Sequence, residues 1–475
     1  MHLMRRVLAI AATVLAGSCG SSTTGERAAP PTSPPLRRAP ATEAAGGPGT
    51  IIAAEPQRDG DPARGWDALI HGSYVGCGVP RSLFDRFAGT TSAAWRLPGR
   101  TGVGADLPYA LNGYIGAGGR ELVTANCLGC HAGWLRGQLV IGLGDAAADF
   151  TADTSPMAMA GLLITDAADR AEWNRFYGRF AAIAPSVRTT TVGANSADHI
   201  AAALFAHRDP VTLAWSDEPR LPLPSAPAPV DVPAWWLLEK KAAMFYTGAG
   251  RGDQSRIMMT ASVLCVDDVA AAQAIDAYFP DIRAFVRSLE PPPFPAAIDA
   301  TLAAEGEDVF ARRCQRCHGS YGPDGSYRTR VIATAEVGTD PVLADHAGQF
   351  AAPYVAWFNA SFYGQVARLE PGDGYVAPPL DGVWATAPYF HNGSVPTLAA
   401  VLDSTQRAPR TAIVRGSDDY DLDAVGWRTP PIAPDRDQTR IYDTSRHGHS
   451  NAGHTYGDPL TPAARRALLE YLKTL

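Results

Sequence analysis

The run Cys-x-x-Cys-His occurs twice, at Cys127-Leu128-Gly129-Cys130-His131 and at Cys314-Gln315-Arg316-Cys317-His318. The spacing lets two thiols reach the two vinyl groups of one haem, and the adjacent histidine reaches the iron from the same face. A redox dithiol does not need that histidine. A zinc site would want a second Cys or His pair at short spacing, and neither run has one. Two full copies predict two covalently bound haem c groups. The cofactor-binding residues are then Cys127, Cys130, His131, Cys314, Cys317 and His318, with His131 and His318 on the irons.

Haem attachment of this type follows export, and the N-terminus reads as an export signal. Arg5-Arg6 is followed by an apolar stretch from Val7 to Ala16 and then by Leu15-Ala16-Gly17-Ser18-Cys19. That stretch is too short to span a bilayer. Small residues leading to a cysteine have the form of a lipobox, so residues 1–18 are expected to be removed and Cys19 to carry a lipid. Residues 19–50 are rich in Ser, Thr, Pro and Gly and are expected to form a disordered tether. The expected location is the periplasm or cell envelope. Of seven cysteines, Cys77 and Cys265 remain outside the signal and the motifs. In an oxidising compartment they either pair or stay as buried thiols, and sequence cannot set their separation.

Composition adds limits. The net charge is −7 and no basic runs occur, so nucleic acid is not an expected partner. An apolar share of 46% supports a sizeable core, and 46 Gly with 39 Pro predict a loop-rich chain. Gly306 stands eight residues before Cys314 and Phe310 four before it. Gly119 and Val123 stand at the same distances before Cys127. The stretch 304–314 reads as the entry helix of a cytochrome c domain, with Gly where another helix crosses closely. Two closing helices are expected, because Phe285-Val286-Arg287-Ser288-Leu289 and Tyr471-Leu472-Lys473-Thr474-Leu475 match in character. The expected fold is mainly α: two cytochrome c-type haem domains with long loop insertions, over 51–292 and 293–475, produced by internal duplication.

The sixth ligand of each iron decides between electron transfer and chemistry at an open position. No methionine follows Met259. The second haem must therefore draw on His346, His391, His447, His449, His454 or a tyrosine. The first half offers Met157, Met159, Met244, Met258 and Met259, with His199 and His207, although most such methionines serve as core.

The run Pro379-Leu380-Asp381-Gly382-Val383-Trp384-Ala385-Thr386-Ala387-Pro388-Tyr389-Phe390-His391-Asn392-Gly393-Ser394-Val395-Pro396-Thr397-Leu398, with Asp373-Gly374-Tyr375 before it, resembles the signature of the bacterial di-haem cytochrome c peroxidase superfamily. The likeness is nearest to the rubber-oxygenase-like branch. Residues 137–144 with Asp149-Phe150-Thr151, residues 240–246 with Gly250-Arg251-Gly252-Asp253, and Asn451-Ala452-Gly453-His454-Thr455-Tyr456-Gly457 resemble that branch too. The resemblance implies a reactive haem on His131, which makes His131 the catalytic residue, and a six-coordinate relay haem on His318. It implies His454 as sixth ligand of the second haem, with His391 as second choice. It places Trp384 and Tyr389 near the electron path, although aromatics more often fill cores. It leaves interdomain calcium open as a further cofactor. The Asp-Gly-Arg and Asn-Pro-x-Glu-Met elements of the peroxidases are absent between His131 and Leu289.

The expected function is an exported di-haem oxidoreductase, peroxidase-like or oxygenase-like. It acts on a small-molecule oxidant or substrate, with a redox partner protein as a further partner. The alternatives are an electron-transfer cytochrome with both haems six-coordinate, and a haem sensor read by a partner.

Overall fold

The computed structural model describes residues 48–88, 91–224, 227–349, 351–414, 416 and 419–475. The signal, Cys19 and nearly all of the tether lie outside them. Helix α1 (Pro62–His71) starts at Asp61, whose side chain accepts from Arg64 N, with proline in its first turn. Strands β1 (Val79–Pro80), β2 (Leu111–Ile115) and β3 (Glu121–Ala125) form one sheet, in the order β1-β3-β2. The one-turn helix α2 (Leu128–His131) carries the first motif. Helices α3 (Ala167–Val187) and α4 (Ala197–Ala206) follow, and α5 (Phe279–Ser288) returns to α1. Helix α6 (Ala300–Arg313) runs straight into Cys314 and α7 (Gln315–His318). Helix α8 (Ala352–Ala360) and the closing helix α9 (Pro462–Leu472) complete the set.

Two helix pairs cross in the same way. At Gly306 of α6, an added Cβ would lie 2.0 Å from Ala467 O of α9. At Gly65 of α1, it would lie 1.9 Å from Asp281 O of α5. Only glycine lets the backbones come this close. An aromatic pair flanks each crossing, Phe310 with Tyr471 at 5.2 Å and Trp66 with Phe285 at 5.0 Å between ring centroids. The close crossing expected at Gly306 is present.

The expectation of a mainly α chain made of two cytochrome c domains is not met. The described residues are 41% helical and 13% strand, with the strands spread over several small sheets. The stretch before Cys127 shows why. It is no helix but an antiparallel hairpin, with Leu111 opposite Ala125 and Ile115 opposite Glu121. Gly118 and Gly119 close it, both at φ +75°, a conformation that a helix cannot contain. Two separate domains are not what the packing shows either. The larger core joins Leu69, Phe176, Phe205 and Val286 to Trp357, Phe358 and Tyr363, with Phe205 stacked on Trp357 at 4.3 Å. The second core draws Leu135, Leu143, Ala234 and Trp236 in beside Val309, Trp384 and Leu468. Gly250–Gly252 pairs with Ala367–Leu369, which adds a backbone link between early and late segments.

Cys77 and Cys265 form a disulfide, with Cα atoms 5.6 Å apart. Among the described residues, no helix is long and apolar enough to cross a membrane.

Candidate haem sites

In both motifs the chain makes one tight turn, and the histidine N–H donates to the carbonyl of the first cysteine at 3.0 Å, His131 to Cys127 and His318 to Cys314. The turn carries both thiols and the imidazole on one short segment. All four motif thiols are free of disulfides. Burial pushes the thiols of Cys130 and Cys314 up to about 12.

At the second motif, Nδ1 of His318 lies 2.8 Å from Pro378 O. With Nδ1–H donating there, Nε2 is left free to bind a metal. His454 faces it, with ring centroids 6.2 Å apart and ring planes at 66°. Two imidazoles on one metal at roughly 2.0–2.1 Å per N–metal bond would place their centroids about 6 Å apart. Burial, then the neighbouring His318 and Arg407, hold His454 at about 3, so it is a neutral, ligand-competent imidazole. Its backbone is in the left-handed region, φ +45°, next to Gly453 at +77°. An added Cβ at Gly453 would lie 2.1 Å from Gly338 C, so only glycine lets the loop seat His454 here. The His454 N–H donates to Val337 O at 2.7 Å. Arg407 secures the loop by donating to the carbonyls of Asn451, Gly453 and His454. Sequence reasoning missed Arg407, because nothing local marks an arginine that ties the nearby carbonyls of Ala400 and Val401 to those of Asn451, Gly453 and His454.

The other histidines lie elsewhere. His391 is stacked on Tyr375 at 4.0 Å, and burial lowers it to about 3. His199, His346 and His447 neighbour one another in series, 5.6 Å at each step. His207 stacks on Trp215, and His449 lies against Tyr442. Of these six, His391 alone was singled out as a ligand choice, and among the described residues no ring contact brings it to His318.

The first motif is built differently. The ring of His131 stacks on Trp235 at 4.7 Å, its one ring contact among the described residues, and burial lowers it to about 4. Asn195 Nδ2 lies 3.6 Å from Cys130 Sγ. Met157 and Met259 are buried in the larger core, Met244 and Met258 pack against it, and Met159 is exposed. Next to Trp235, Trp236 donates from Nε1 to Asp381 O at 2.8 Å, three residues from Pro378. A short run of bonded and hydrogen-bonded atoms thus joins the surroundings of the two motif histidines. Trp384 donates to Pro292 O and Tyr389 to Val383 O, both within the second core, which is a packing role.

The residues fit haem: free paired thiols, neutral buried histidines, and an opposed imidazole at the second motif. Among the described residues, no group of three or more His, Cys, Asp or Glu is arranged to hold a metal ion.

Comparison with known proteins agrees in part. Residues 374–411 match the family described as "RoxA-like, cytochrome c-like". The chain is 31% identical over 252 residues to "Uncharacterized protein y4iJ" of Sinorhizobium fredii, which covers 39% of this chain and 41% of that protein. It is 32% identical over 232 residues to "Uncharacterized protein y4iM" of the same organism, covering 40% and 52%. The aligned part thus spans about half the length of these relatives, or less. The match favours the rubber-oxygenase-like side of the resemblance, and nothing in it points to a di-haem peroxidase. Residues 374–411, which hold Pro378 and His391, are thus similar to a RoxA-like cytochrome c segment, and that likeness supports a haem-containing cytochrome.

Proposed function

We propose that this chain is an exported di-haem c-type cytochrome oxidoreductase, in which the haem on His131 meets peroxide or dioxygen and the haem on His318 relays electrons. The observation that carries this reading is an asymmetry. His318 is faced by a second imidazole at 6.2 Å, whereas the one aromatic ring against His131 among the described residues is the indole of Trp235. A haem iron with an open position supplies the binding and reduction of the oxidant. His131 holds the reactive group and stays neutral. His318 is oriented by Pro378 O, which strengthens it as a ligand, and His454 closes the far side. Trp235 and Trp236 join the two surroundings. The export signal and the lipobox at Cys19 support a periplasmic or envelope location with a lipid anchor. The oxidisable substrate is a small molecule, and a redox partner protein delivers electrons to the second haem.

Carbon monoxide binding to the fully reduced protein, counted per haem by absorbance, tests this. One CO for two haems is expected. No uptake means that both irons are capped, and a di-haem electron carrier becomes the better reading.

A further inference from the structure

One guanidinium joins the loop that carries His454 to the segment after the signature run. Arg407 Nη1 donates to Asn451 O at 3.0 Å and to Gly453 O at 2.6 Å. Its Nη2 donates to His454 O at 3.3 Å and to Val401 O at 3.0 Å, and its Nε donates to Ala400 O at 2.8 Å. These bonds occupy all five N–H groups of the fork. Ala400 and Val401 lie in the short helix Leu398–Leu402. The N–H groups four residues on, of Ser404 and Thr405, donate to the side chains of Asp458 and Asp403 and leave the two helix carbonyls to Arg407. A lysine, with three donors at one point, cannot bridge both sets of carbonyls. The backbone of Arg407 is fixed too, its N–H donating to Ser404 O at 3.2 Å.

The same group brings a charge to the second motif. Arg407 is half-buried, and its Cζ lies 5.0 Å from the centroid of the Phe390 ring. That ring lies 5.8 Å from the ring of His454. Asp458 and Asp403 are the acids that act on Arg407 electrostatically, but both are engaged elsewhere. Asp403 pairs with Arg465 at 3.1 Å, and Asp458 accepts from Ser404 N and Oγ. Among the described residues no carboxylate forms an ion pair with Arg407. A cation held beside an iron ligand opposes the ferric state more than the ferrous, because reduction removes one positive charge from the metal.

We propose that Arg407 is the positioning residue of the second haem site: its fork keeps His454 facing His318 as the sixth ligand, and its charge raises the reduction potential of that haem. The inference rests on the di-haem reading above and adds what controls its relay site.

The exported, haem-loaded protein is compared as wild type, His454→Ala, Arg407→Gln and Arg407→Lys. Haem is counted by the pyridine haemochrome method and CO uptake by absorbance. Midpoint potentials are read by optical titration with imidazole present to fill open iron positions. Two haems in the wild type, and a rise from one CO to two in His454→Ala, carry the di-haem reading. Failure of either sinks that reading, and this inference with it. Given both, Arg407→Gln should also take up two CO. With imidazole bound, the haem that His454→Ala perturbs should have a lower potential in Arg407→Gln than in His454→Ala, since the ligands match and the charge differs. Arg407→Lys keeps the charge and loses the fork. It should take up two CO and match the imidazole-filled potential of His454→Ala. One CO in Arg407→Gln, or a potential equal to that of His454→Ala, would overturn the inference. If Arg407→Gln carries no haem, Arg407→Lys decides: two CO support the inference and one overturns it. If neither variant matures while His454→Ala does, Arg407 serves the fold at large and the inference is overturned.

Discussion

The two motif regions solve one covalent problem with different scaffolds. At the second, α6 leads directly into Cys314, α9 crosses α6 at Gly306, and a loop pinned by Arg407 delivers His454 opposite His318. At the first, the equivalent crossing is made by α1 and α5 at Gly65, but α1 ends at His71, far from Cys127. A hairpin, β2–β3, fills the gap and presents Cys127 from a strand. His131 then has an indole beside it and, among the described residues, no facing imidazole ring. The difference teaches that the helix crossing and the motif are separable parts. Where they are contiguous, a second imidazole faces the motif histidine. Where they are split, an indole lies beside it instead.

The sharpest way to break the comparison is to make the two sites alike. His454→Ala should raise CO uptake by the reduced protein from one to two per chain, whereas His131→Ala should abolish the original signal. Absorbance titration reads both. An unchanged stoichiometry in His454→Ala would mean that His454 is not the cap.

The next effect belongs to the first region alone. Only that half carries a disulfide, between Cys77 and Cys265, which closes a loop of 188 residues. Replacing both cysteines with serine should cost about 2–5 kcal/mol, measured by urea unfolding. Reductant should lower the wild-type midpoint by a similar amount and leave the double variant unmoved.

The smallest effect sharpens the parallel between the crossings. Gly65→Ala and Gly306→Ala each drive a methyl group into a backbone carbonyl. Overpacking of this kind should cost roughly 1–3 kcal/mol in either case. Thermal unfolding should show similar losses. Only Gly306→Ala should also disturb the spectrum of the haem on His318, since α6 is continuous with Cys314 and α1 is not continuous with Cys127.

Part of this was legible because covalent chemistry is local. Cys127, Cys130, His131, Cys314, Cys317 and His318 declare themselves by spacing, and the turn that each motif adopts follows from that spacing. Gly306 was legible as well, since a glycine on the apolar stripe of a helix has few other uses. The equivalent Gly65 was not, because it stands far before Cys127 in the chain and no spacing ties it to that motif, whereas Gly119 stands at the matching distance. There, two consecutive glycines at positive φ turn the chain back into a hairpin. His454 was marked by a resemblance and not by its own surroundings. The left-handed backbone that aims it depends on Gly453 meeting Gly338.

By itself, then, the amino-acid sequence determined where two Cys-x-x-Cys-His turns form and where a close helix crossing must fall, because bond reach and helix period act over a few residues. Only the tertiary structure decided that the chain is not two separate helical domains, that Cys77 meets Cys265, and that His454 rather than His391 faces His318. Those outcomes depend on how segments far apart in the chain share cores and carbonyl partners, and no local pattern records that.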